Sequence, residues 1–355
     1  MTATESITIP TTMKRLVATA PGKDIATCKI EVETVPVPQP ASGEVLIKVA
    51  AAPINPSDYG DWYRSSPDKY PFTMGKEGCG VVVASGGGLS SLRFPVGSKV
   101  GFIAPRLQNN QGSYSEYVTA PVTGCFAMPD DTPIEDCASF FVNPYTAIGI
   151  IDTVKNQEGS PAFVHTAAAS QLGQMIVKLA PSEGVEVINV VRREEQAEIL
   201  RELGAKHIVV TANGDDEEKW KEELKAKVKE LGAKCAFDAI AGSMAGDLLE
   251  AMPPEGSVYV YGVLGGLAKN INPLDLVYRK KQLKGFFLTT WVREGGLLSM
   301  VPRMISASRK VNSGLKAPGW SSTQFSDTTM EKAQDDIVHL LGSSITGKKL
   351  RIRFD

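Results

Sequence analysis

A run of small residues lies where a phosphate-binding turn would be expected, between an apolar segment and an amphipathic one. Residues 163–174 read FVHTAAASQLGQ, and Ala167, Ser170 and Gly173 occupy the three small-residue positions. Such a turn lets pyrophosphate oxygens approach backbone N–H groups at the positive end of the following helix. Only the third position is a glycine, so the strict GxGxxG fingerprint is not met, and a helix packed closely on a strand is the alternative.

Two arginines, Arg192 and Arg193, end the next apolar segment, NVVRR at residues 189–193. An acid at this place, roughly 20 residues past the turn, would bind the ribose 2′-hydroxyl of NAD. A guanidinium instead donates charge-assisted hydrogen bonds to a 2′-phosphate. The sequence therefore predicts NADPH, with Arg192 as the main contact. Arg193 is equally well explained as the start of a solvated, glutamate-rich helix face.

Glycines that follow two later apolar segments would let the nicotinamide ribose pass close to the backbone, although ordinary turns explain them nearly as well. We expect these segment ends to face the same crevice as the turn. The expected cofactor-binding residues are Ala168, Ser170, Gln171, Leu172, Gly173, Arg192, Arg193, Ala241, Gly242, Tyr261 and Gly262.

The elements that position these residues fall into two regions with different sequence patterns. From about residue 13 to 130, short β-like runs punctuated by Gly and Pro predict an antiparallel β domain. Past Pro129, helical patterns alternate with apolar strands, which predicts a parallel sheet with right-handed crossovers. The expected strands are residues 15–19, 44–51, 80–84, 99–103 and 115–118 in the first region and 162–165, 185–191, 207–210, 235–240 and 257–261 in the second.

The last part of the chain is expected to return to the first domain. Residues 295–309 and 330–341 have helical patterns, and residues 349–354 alternate like a strand. A chain of 355 residues exceeds what one core usually supports. We expect residues 1–142 and 296–355 to form a β-rich substrate domain and residues 143–295 to form the nucleotide domain.

Bulk composition argues against several classes of protein. The net charge is −2, so no electrostatic footprint for nucleic acid is present, and no apolar run is long enough to span a bilayer. Five scattered cysteines without a CxxC pair argue against a disulfide framework and a clustered structural zinc site. Residues 1–12 lack an apolar core and include Glu5, so we expect a cytoplasmic protein, with mitochondrial import as the alternative.

Short motifs recur in a fixed order along nearly the whole chain: 53–58 (PINPSD), 75–80 (GKEGCG), 96–100 (VGSKV), 112–117 (GSYSEY), 143–147 (NPYTA), 203–205 (LGA) and 347–350 (GKKL). In order and spacing they resemble the medium-chain dehydrogenase/reductase superfamily, in its zinc-free quinone oxidoreductase and enoyl reductase branches. The resemblance implies an α/β chain with a GroES-like β-rich catalytic domain and a Rossmann doubly wound parallel-sheet domain. It also implies a homodimer formed through nucleotide-domain edge strands, and a cofactor contact at Thr146, whose alternative is a helix-start hydroxyl.

The resemblance further implies that no catalytic zinc is bound. Zinc-dependent members carry a cysteine near the position of Asn55 and a Gly-His-Glu triplet where this chain has Gly75, Lys76 and Glu77. Lysine cannot replace an imidazole ligand, and no tetrahedral set of nitrogen and sulfur ligands can be assembled locally. A hydride acceptor must then be electrophilic itself, as a quinone or an α,β-unsaturated carbonyl compound is.

Proton donors are expected in the loop formed by residues 55–70. Enoyl thioester reductases place a catalytic tyrosine in the corresponding loop, and Tyr63 is the nearest match, with Tyr59 and Tyr70 as alternatives. A phenol can donate a proton or hydrogen bond at neutral pH. Asn55 resembles an asparagine that quinone oxidoreductases keep near the nicotinamide, and its alternative is a turn residue before Pro56.

The leading hypothesis is an NADPH-dependent reductase of quinones or enones. Residues 283–291 (LKGFFLTTW) resemble a Gly-Phe-Trp-Leu-x-x-Trp stretch of the enoyl reductase branch, whereas residues 169–172 depart from that branch. An enoyl-CoA or enoyl-ACP thioester reductase is therefore the second hypothesis. A third, from another class, is a non-catalytic NADPH-binding protein of the crystallin or nucleic-acid-binding kind, which the even charge balance weakens.

Overall fold

Two units make up the chain in the computed structural model, which describes residues 8–88, 92–105, 111–212, 218–343 and 347–354. The first unit runs to Val142 and resumes at Val311, and the second is Asn143–Lys310. The chain returns to the first unit inside one long helix, α9 (Gly296–Leu315), whereas the expected boundary lay at residue 295.

Antiparallel strands dominate the first unit. Among its described residues, β1 (Thr12–Ala20) pairs with β2 (Lys29–Pro36) and β4 (Phe72–Thr73) in a small sheet. The larger sheet is centred on β3 (Glu44–Pro53), which is apolar nearly throughout because it is buried on both faces. The other antiparallel members are β5 (Glu77–Ser85), β6 (Lys99–Ile103), β7 (Tyr117–Pro121) and β8 (Cys125–Ala127).

Residues from far along the chain complete this larger sheet. The strand β16 (Lys349–Arg353) lies antiparallel to β3, with Arg351 opposite Pro53, and it lies parallel to β15 (Phe325–Thr328). The N–H of Ile54 donates to the carbonyl of Leu350 at 2.9 Å, which extends this pairing to the residue before Asn55. The helix α10 (Ala333–Gly342) buries Ala333 and Ile337 in the adjoining core.

A helix, α1 (Pro56–Arg64), occupies most of the segment that was expected to be a loop. Proline suits the first helical position because its missing N–H would have no partner there. Asn55 is the N-cap residue, and its backbone N–H donates to the carboxylate of Asp58 at 2.9 Å. The helix buries Trp62 against Tyr114, whose ring meets it edge to face. The expectation of a loop was wrong because Pro56 and the capping pair of Asn55 and Asp58 favour the start of a helix.

The second unit is a doubly wound parallel sheet. Within the part of the chain that is described, its strand order is β11-β10-β9-β12-β13-β14, so the crossover direction reverses between β9 and β12. Parallel pairing sets Phe163 of β9 beside Val187 of β10 and Cys235 of β12. The strands are β9 (Ala162–Thr166), β10 (Glu186–Val191), β11 (His207–Val210), β12 (Cys235–Asp238), β13 (Ser257–Val260) and β14 (Gln282–Gly285).

Helices cover this sheet. The order is α2 (Val142–Asp152), α3 (Gln171–Glu183), α4 (Glu194–Glu202), α5 (Lys219–Leu231), α6 (Met244–Ala251), α7 (Pro273–Val277) and α8 (Leu288–Arg293), followed by α9. α3 contains Pro181 in its last turn and is capped by Gly184, which lies in the left-handed conformation. No described helix has the length and apolar character that crossing a membrane would require.

Candidate functional site

The turn between β9 and α3 has the close geometry that a phosphate-binding turn needs. Ala167 lies in the left-handed region, with φ +50°. The hydroxyl of Ser170 caps α3 by accepting from the N–H of Gly173 at 3.2 Å. A Cβ added to Gly173 would lie 2.0 Å from the carbonyl oxygen of Ala168, so only glycine fits there. This is the role of a fingerprint glycine that permits close helix–strand packing.

The two arginines after β10 differ in their surroundings. The side-chain oxygen of Gln196 accepts from the N–H groups of both Arg192 and Arg193, at 3.0 and 3.3 Å, which fixes the turn that leads into α4. The side chain of Arg192 is exposed at the carboxyl end of β10. Arg193 is the N-cap residue of α4, and its guanidinium lies 3.9 Å from Glu195. Arg192 is thus the more exposed of the two side chains, and Arg193 lies beside Glu195 at the start of α4.

Asp238, at the end of β12, organises the loop that holds the expected ribose contacts. Its carboxylate accepts from the Thr166 hydroxyl at 2.7 Å and from the N–H groups of Ile240 and Ala241 at 2.9 and 3.0 Å. Burial raises the pKa of this carboxyl, against the effect of these hydrogen bonds. Ala241 and Gly242 both follow in the left-handed region, with φ +58° and +57°. Asp238 was not among the expected site residues. An acid near the end of a predicted strand, shortly before Gly242, could have indicated that it organises this loop.

Tyr261 and Gly262 follow β13 at the same edge of the sheet. A Cβ on Gly262 would lie 2.5 Å from the carbonyl oxygen of Ala239, so the two loops touch through their backbones. The Tyr261 hydroxyl lies 2.8 Å from Nε2 of His165, with the two rings stacked. Burial lowers the pKa of His165 to about 3, so its imidazole is neutral. The Tyr261 hydroxyl is therefore paired with His165, a residue that was not among the expected site residues.

The expected phosphate and ribose contacts are therefore brought together, because parallel strands present their carboxyl ends at one edge of a sheet. Gln171 and Leu172 begin α3 beside the turn, and both are buried. Thr146 lies within α2 and is also buried, so it is one turn inside the helix rather than at its first residue.

The tyrosines of the first unit lie on or beside α1. Tyr59 and Tyr63 are one helical turn apart and are partly buried. Burial raises the pKa of Tyr59 to about 12, so its phenol keeps its proton at neutral pH. The guanidinium of Arg64 lies over the ring of Tyr63, 4.9 Å from its centroid. Tyr70 donates its hydroxyl to the carbonyl of Trp62 at 2.8 Å, which gives it a structural task at the end of α1.

Asn55 lies in a fully buried polar cluster that also contains Glu77 and Lys349. Its amide nitrogen donates to the Glu77 carboxylate at 3.0 Å, and its amide oxygen accepts from the Lys349 ammonium at 2.6 Å. Burial raises the pKa of Glu77 and lowers the pKa of Lys349, while the charge of each opposes the shift of the other. Both atoms of the Asn55 amide are therefore bonded within this cluster.

Lys76, at the position of the zinc-ligating histidine in metal-dependent relatives, is directed to α1. Its ammonium donates to the carbonyl of Ser57 at 2.6 Å and lies 3.1 Å from the carboxylate of Asp61. No group of three or more His, Cys, Asp or Glu side chains able to hold a metal occurs among the described residues.

Comparison with known proteins identifies the class that this fold defines. Residues 41–130 match the model of the alcohol dehydrogenase GroES-like domain, and residues 172–303 match that of the zinc-binding dehydrogenases. The chain therefore consists of the two domains of a medium-chain dehydrogenase/reductase, and the expected fold class is confirmed.

Individual relatives narrow the class. A solved Mesorhizobium loti protein, assigned as an NADPH:quinone reductase, is 30% identical, with a TM-score of 0.81 over 98% of this chain and 100% of the other. The mitochondrial enoyl-[acyl-carrier-protein] reductase of Xenopus tropicalis is 28% identical over 75% of each chain. Prostaglandin reductase-3 of Mus musculus is 28% identical over 79% of this chain and 74% of its own. The chain belongs to the medium-chain dehydrogenase/reductase superfamily, in the branch of the quinone oxidoreductases and enoyl reductases, and it is an oxidoreductase.

Proposed function

We propose that this chain is a zinc-independent, NADPH-dependent reductase of quinones or other α,β-unsaturated carbonyl compounds. The observation that carries the proposal is the environment of Lys76. Its ammonium is paired with Asp61 where a metal-dependent relative needs a neutral imidazole. A cation held at this position would repel a metal ion. The substrate must therefore be electrophilic enough to accept hydride without a Lewis acid.

The second unit supplies the cofactor site. The backbone N–H groups at the start of α3 suit a pyrophosphate, since Gly173 and Ala168 leave no side-chain bulk between the turn and the helix. The exposed guanidinium of Arg192 suits the 2′-phosphate that distinguishes NADPH from NADH. Ala241, Gly242 and Gly262 form the backbone surface for the nicotinamide ribose, held by Asp238. When bound, NADPH supplies the hydride.

The residues of α1 supply the proton-donating side. Hydride addition to a conjugated carbonyl compound places negative charge on its oxygen, which a neutral hydroxyl stabilises by donating a hydrogen bond. Tyr63 is the proposed donor, and Tyr59 is the second candidate, since its raised pKa keeps the phenol protonated across the neutral range. Tyr70 is the least suited of the three, because its hydroxyl already donates to Trp62. Asn55 acts by positioning α1 rather than by touching substrate.

Reduction of an enoyl thioester is the second candidate function. It is favoured by the relationship to the Xenopus enoyl-[acyl-carrier-protein] reductase and by the aromatic stretch of residues 283–291. The aromatic stretch supports an enoyl thioester reductase less strongly than the similarity to the Xenopus enzyme does. Trp291 is buried and donates its ring N–H to Asp152 at 2.8 Å, and a Cβ on Gly149 would lie 3.0 Å from Phe286 and Trp291. These two aromatic side chains therefore pack inside the second unit.

We also propose a homodimer that forms through β14. Within the described residues this strand pairs only with β13, so its other side offers free backbone donors and acceptors. Large apolar side chains are exposed nearby, with Tyr278 at 78% and Phe287 at 67%. Antiparallel pairing of two β14 strands would cover an edge that otherwise favours aggregation. Sedimentation of the wild type and of Leu283→Asp, which places a charge on this strand, would test it: a dimer that survives the substitution contradicts this interface.

The proposed compartment is the cytoplasm. Its support is the set of five cysteines, Cys28, Cys79, Cys125, Cys137 and Cys235, which are all free and buried, as in proteins of reducing compartments. The mitochondrion is the alternative, in view of the relatives named above. No nucleic-acid or membrane partner is proposed. Localisation of the chain with a C-terminal fluorescent tag separates the two compartments.

A substrate panel tests the function. NADPH oxidation would be measured with phenanthrenequinone, a simple enone, and crotonyl-CoA and longer enoyl-CoA thioesters. The lead proposal expects the largest kcat/KM with the quinone or the enone. A preference for enoyl-CoA by orders of magnitude would establish the second candidate instead. Tight NADPH binding without turnover of any electrophile would favour a non-catalytic NADPH-binding protein.

A further inference from the structure

One buried lysine, Lys349, bonds the residue that links two helix-capping carboxylates. Lys349 is the first residue of β16 and is 6% exposed. Its ammonium donates to the amide oxygen of Asn55 at 2.6 Å and to the hydroxyl of Ser139 at 3.0 Å. Burial lowers the pKa of Lys349, and the charges of Glu77 and Asp58 oppose this shift.

Glu77 caps the start of α2. One carboxylate oxygen accepts from the N–H groups of Phe141 and Val142 at 2.8 and 3.0 Å, and the other accepts from Asn55 at 3.0 Å. Since the first N–H groups of a helix have no partner inside it, an ionised carboxylate there both accepts their hydrogen bonds and stabilises the positive end of the helix. α2 carries Thr146 one turn further on.

Asp58 caps the start of α1 in the same way. Its carboxylate accepts from the N–H of Asn55, the N-cap residue, at 2.9 Å. α1 carries Tyr59 and Tyr63. Burying an ionised carboxylate without a cation is costly, and the Lys349 ammonium, bonded to the Asn55 amide, supplies a positive charge in this buried region.

We infer that Lys349 is a positioning residue that, through Asn55, fixes the first turn of α1 and the capped backbone of residues 141–142, where α2 begins. The inference goes beyond the proposed function, because none of these groups needs to touch the substrate. It assigns Glu77 of this chain a structural task at the start of α2. For its effect on turnover it rests on the proposed function.

Hydrogen exchange of the full-length protein tests the inference without relying on activity. In Lys349→Met, amides in the first turns of α1 and α2 should exchange at least tenfold faster than in the wild type, while the strands of the second unit keep their protection. Lys348→Met is the matched control, since Lys348 is the exposed neighbour and carries the same charge. Its exchange should equal that of the wild type. If Lys349→Met does not fold, Lys349→Gln, which keeps a hydrogen-bond donor without the charge, takes its place.

Unchanged exchange in both helices, or faster exchange in only one of them, would overturn the inference. Turnover gives a second measurement. We expect kcat of Lys349→Met to fall at least tenfold, by more than KM for NADPH rises, because α1 carries the proposed proton donors whereas only Thr146 of the expected cofactor contacts lies on α2. A wild type without turnover would contradict the proposed function and leave the exchange result decisive for Lys349. An active wild type and a fully active Lys349→Met would contradict the positioning role alone.

Discussion

Gly173 faces the carbonyl oxygen of Ala168 so closely that a Cβ built on Gly173 would lie 2.0 Å from that oxygen. The neighbouring atom belongs to the backbone, so no side chain can move aside to make room. The start of α3 must shift if any other residue is placed there. The shape of the proposed phosphate site therefore depends on a glycine at position 173.

Gly173→Ala should weaken NADPH binding and lower stability by about 1–3 kcal/mol, the usual cost of overpacking. Titration of NADPH by fluorescence and urea unfolding would measure the two effects. Gly60→Ala is the matched control, because a Cβ on this α1 residue would meet nothing within 4 Å. It should leave NADPH binding unchanged, and stability should stay equal or rise. Equal NADPH affinity for Gly173→Ala and the wild type would exclude the turn as the phosphate site.

Arg192→Ala should raise KM for NADPH about 10- to 100-fold and leave KM for NADH nearly unchanged. The expected size follows from the loss of hydrogen bonds to a charged group, about 1.5–3 kcal/mol. Arg193→Ala removes the same charge from the next residue, whose guanidinium faces Glu195. It should change the NADPH to NADH preference less than threefold. The assignment fails if Arg192→Ala keeps the wild-type preference or if Arg193→Ala loses it.

Tyr63→Phe should lower kcat about 100-fold with the best electrophile, the usual contribution of a positioned proton donor. KM for NADPH should stay constant. Tyr70→Phe is the control, because its hydroxyl donates to Trp62 at the end of α1. It should cost about 1 kcal/mol of stability with little effect on kcat. If Tyr59→Phe shows the large loss and Tyr63→Phe does not, the donor is the other tyrosine of the same helix face.

Chelation should not affect activity. Dialysis against EDTA and then 1,10-phenanthroline, followed by assay of NADPH oxidation, should leave kcat within error of the untreated enzyme. The reason is the ammonium of Lys76, which occupies the place of a ligand and is neutralised by Asp61. Loss of activity that added zinc restores would show that a metal site exists, and metal analysis of the untreated protein would report its stoichiometry.

Acid should destabilise the second unit through His165. The folded-state pKa of this histidine is lowered to about 3 from its ordinary value of 6.5, so between these values the unfolded chain binds one more proton than the folded one. The contribution of His165 is fully present above pH 6.5, and it is lost as pH falls toward 3. The slope approaches about 1.4 kcal/mol per pH unit.

Urea unfolding at a series of pH values between 7 and 4 measures this slope. His165→Gln should flatten it. If His165→Gln and the wild type have the same pH dependence of unfolding, the extra proton bound by the unfolded chain is not on the His165 imidazole.

Much of the fold was predictable because its patterns are local. The strands 99–103 and 207–210 match β6 and β11 to the residue, since each apolar run is bounded by turn residues. The helical and strand patterns of the second unit gave its parallel sheet. The strand expected at 115–118 lies instead at Tyr117–Pro121, because Ser115 forms an isolated bridge to Arg15 before the ladder begins. β2 was not among the expected strands, although its alternation of polar and apolar residues is the period-two pattern of a half-buried strand.

The site was predictable only in part. The turn at residues 167–173 and the arginines after β10 could be located, because both follow from the order of one strand and one helix. The cluster of Asn55, Glu77 and Lys349 could not, since its hydrogen bonds join residues 22 and 294 positions apart. Contacts of this kind depend on which strands become neighbours. The pair of His165 and Tyr261, 96 positions apart, escaped for the same reason.

The pairing of β16 with β3 also determines the order in which the polypeptide can fold as it leaves the ribosome. Residues 349–353 are translated after all of the second unit, yet they complete a sheet whose centre is made from residues 44–53. The second unit can therefore acquire its structure during synthesis, whereas residues 51–53 of β3 lack this partner strand until translation has passed residue 353. During that interval their unpaired backbone groups are open to pairing with another chain.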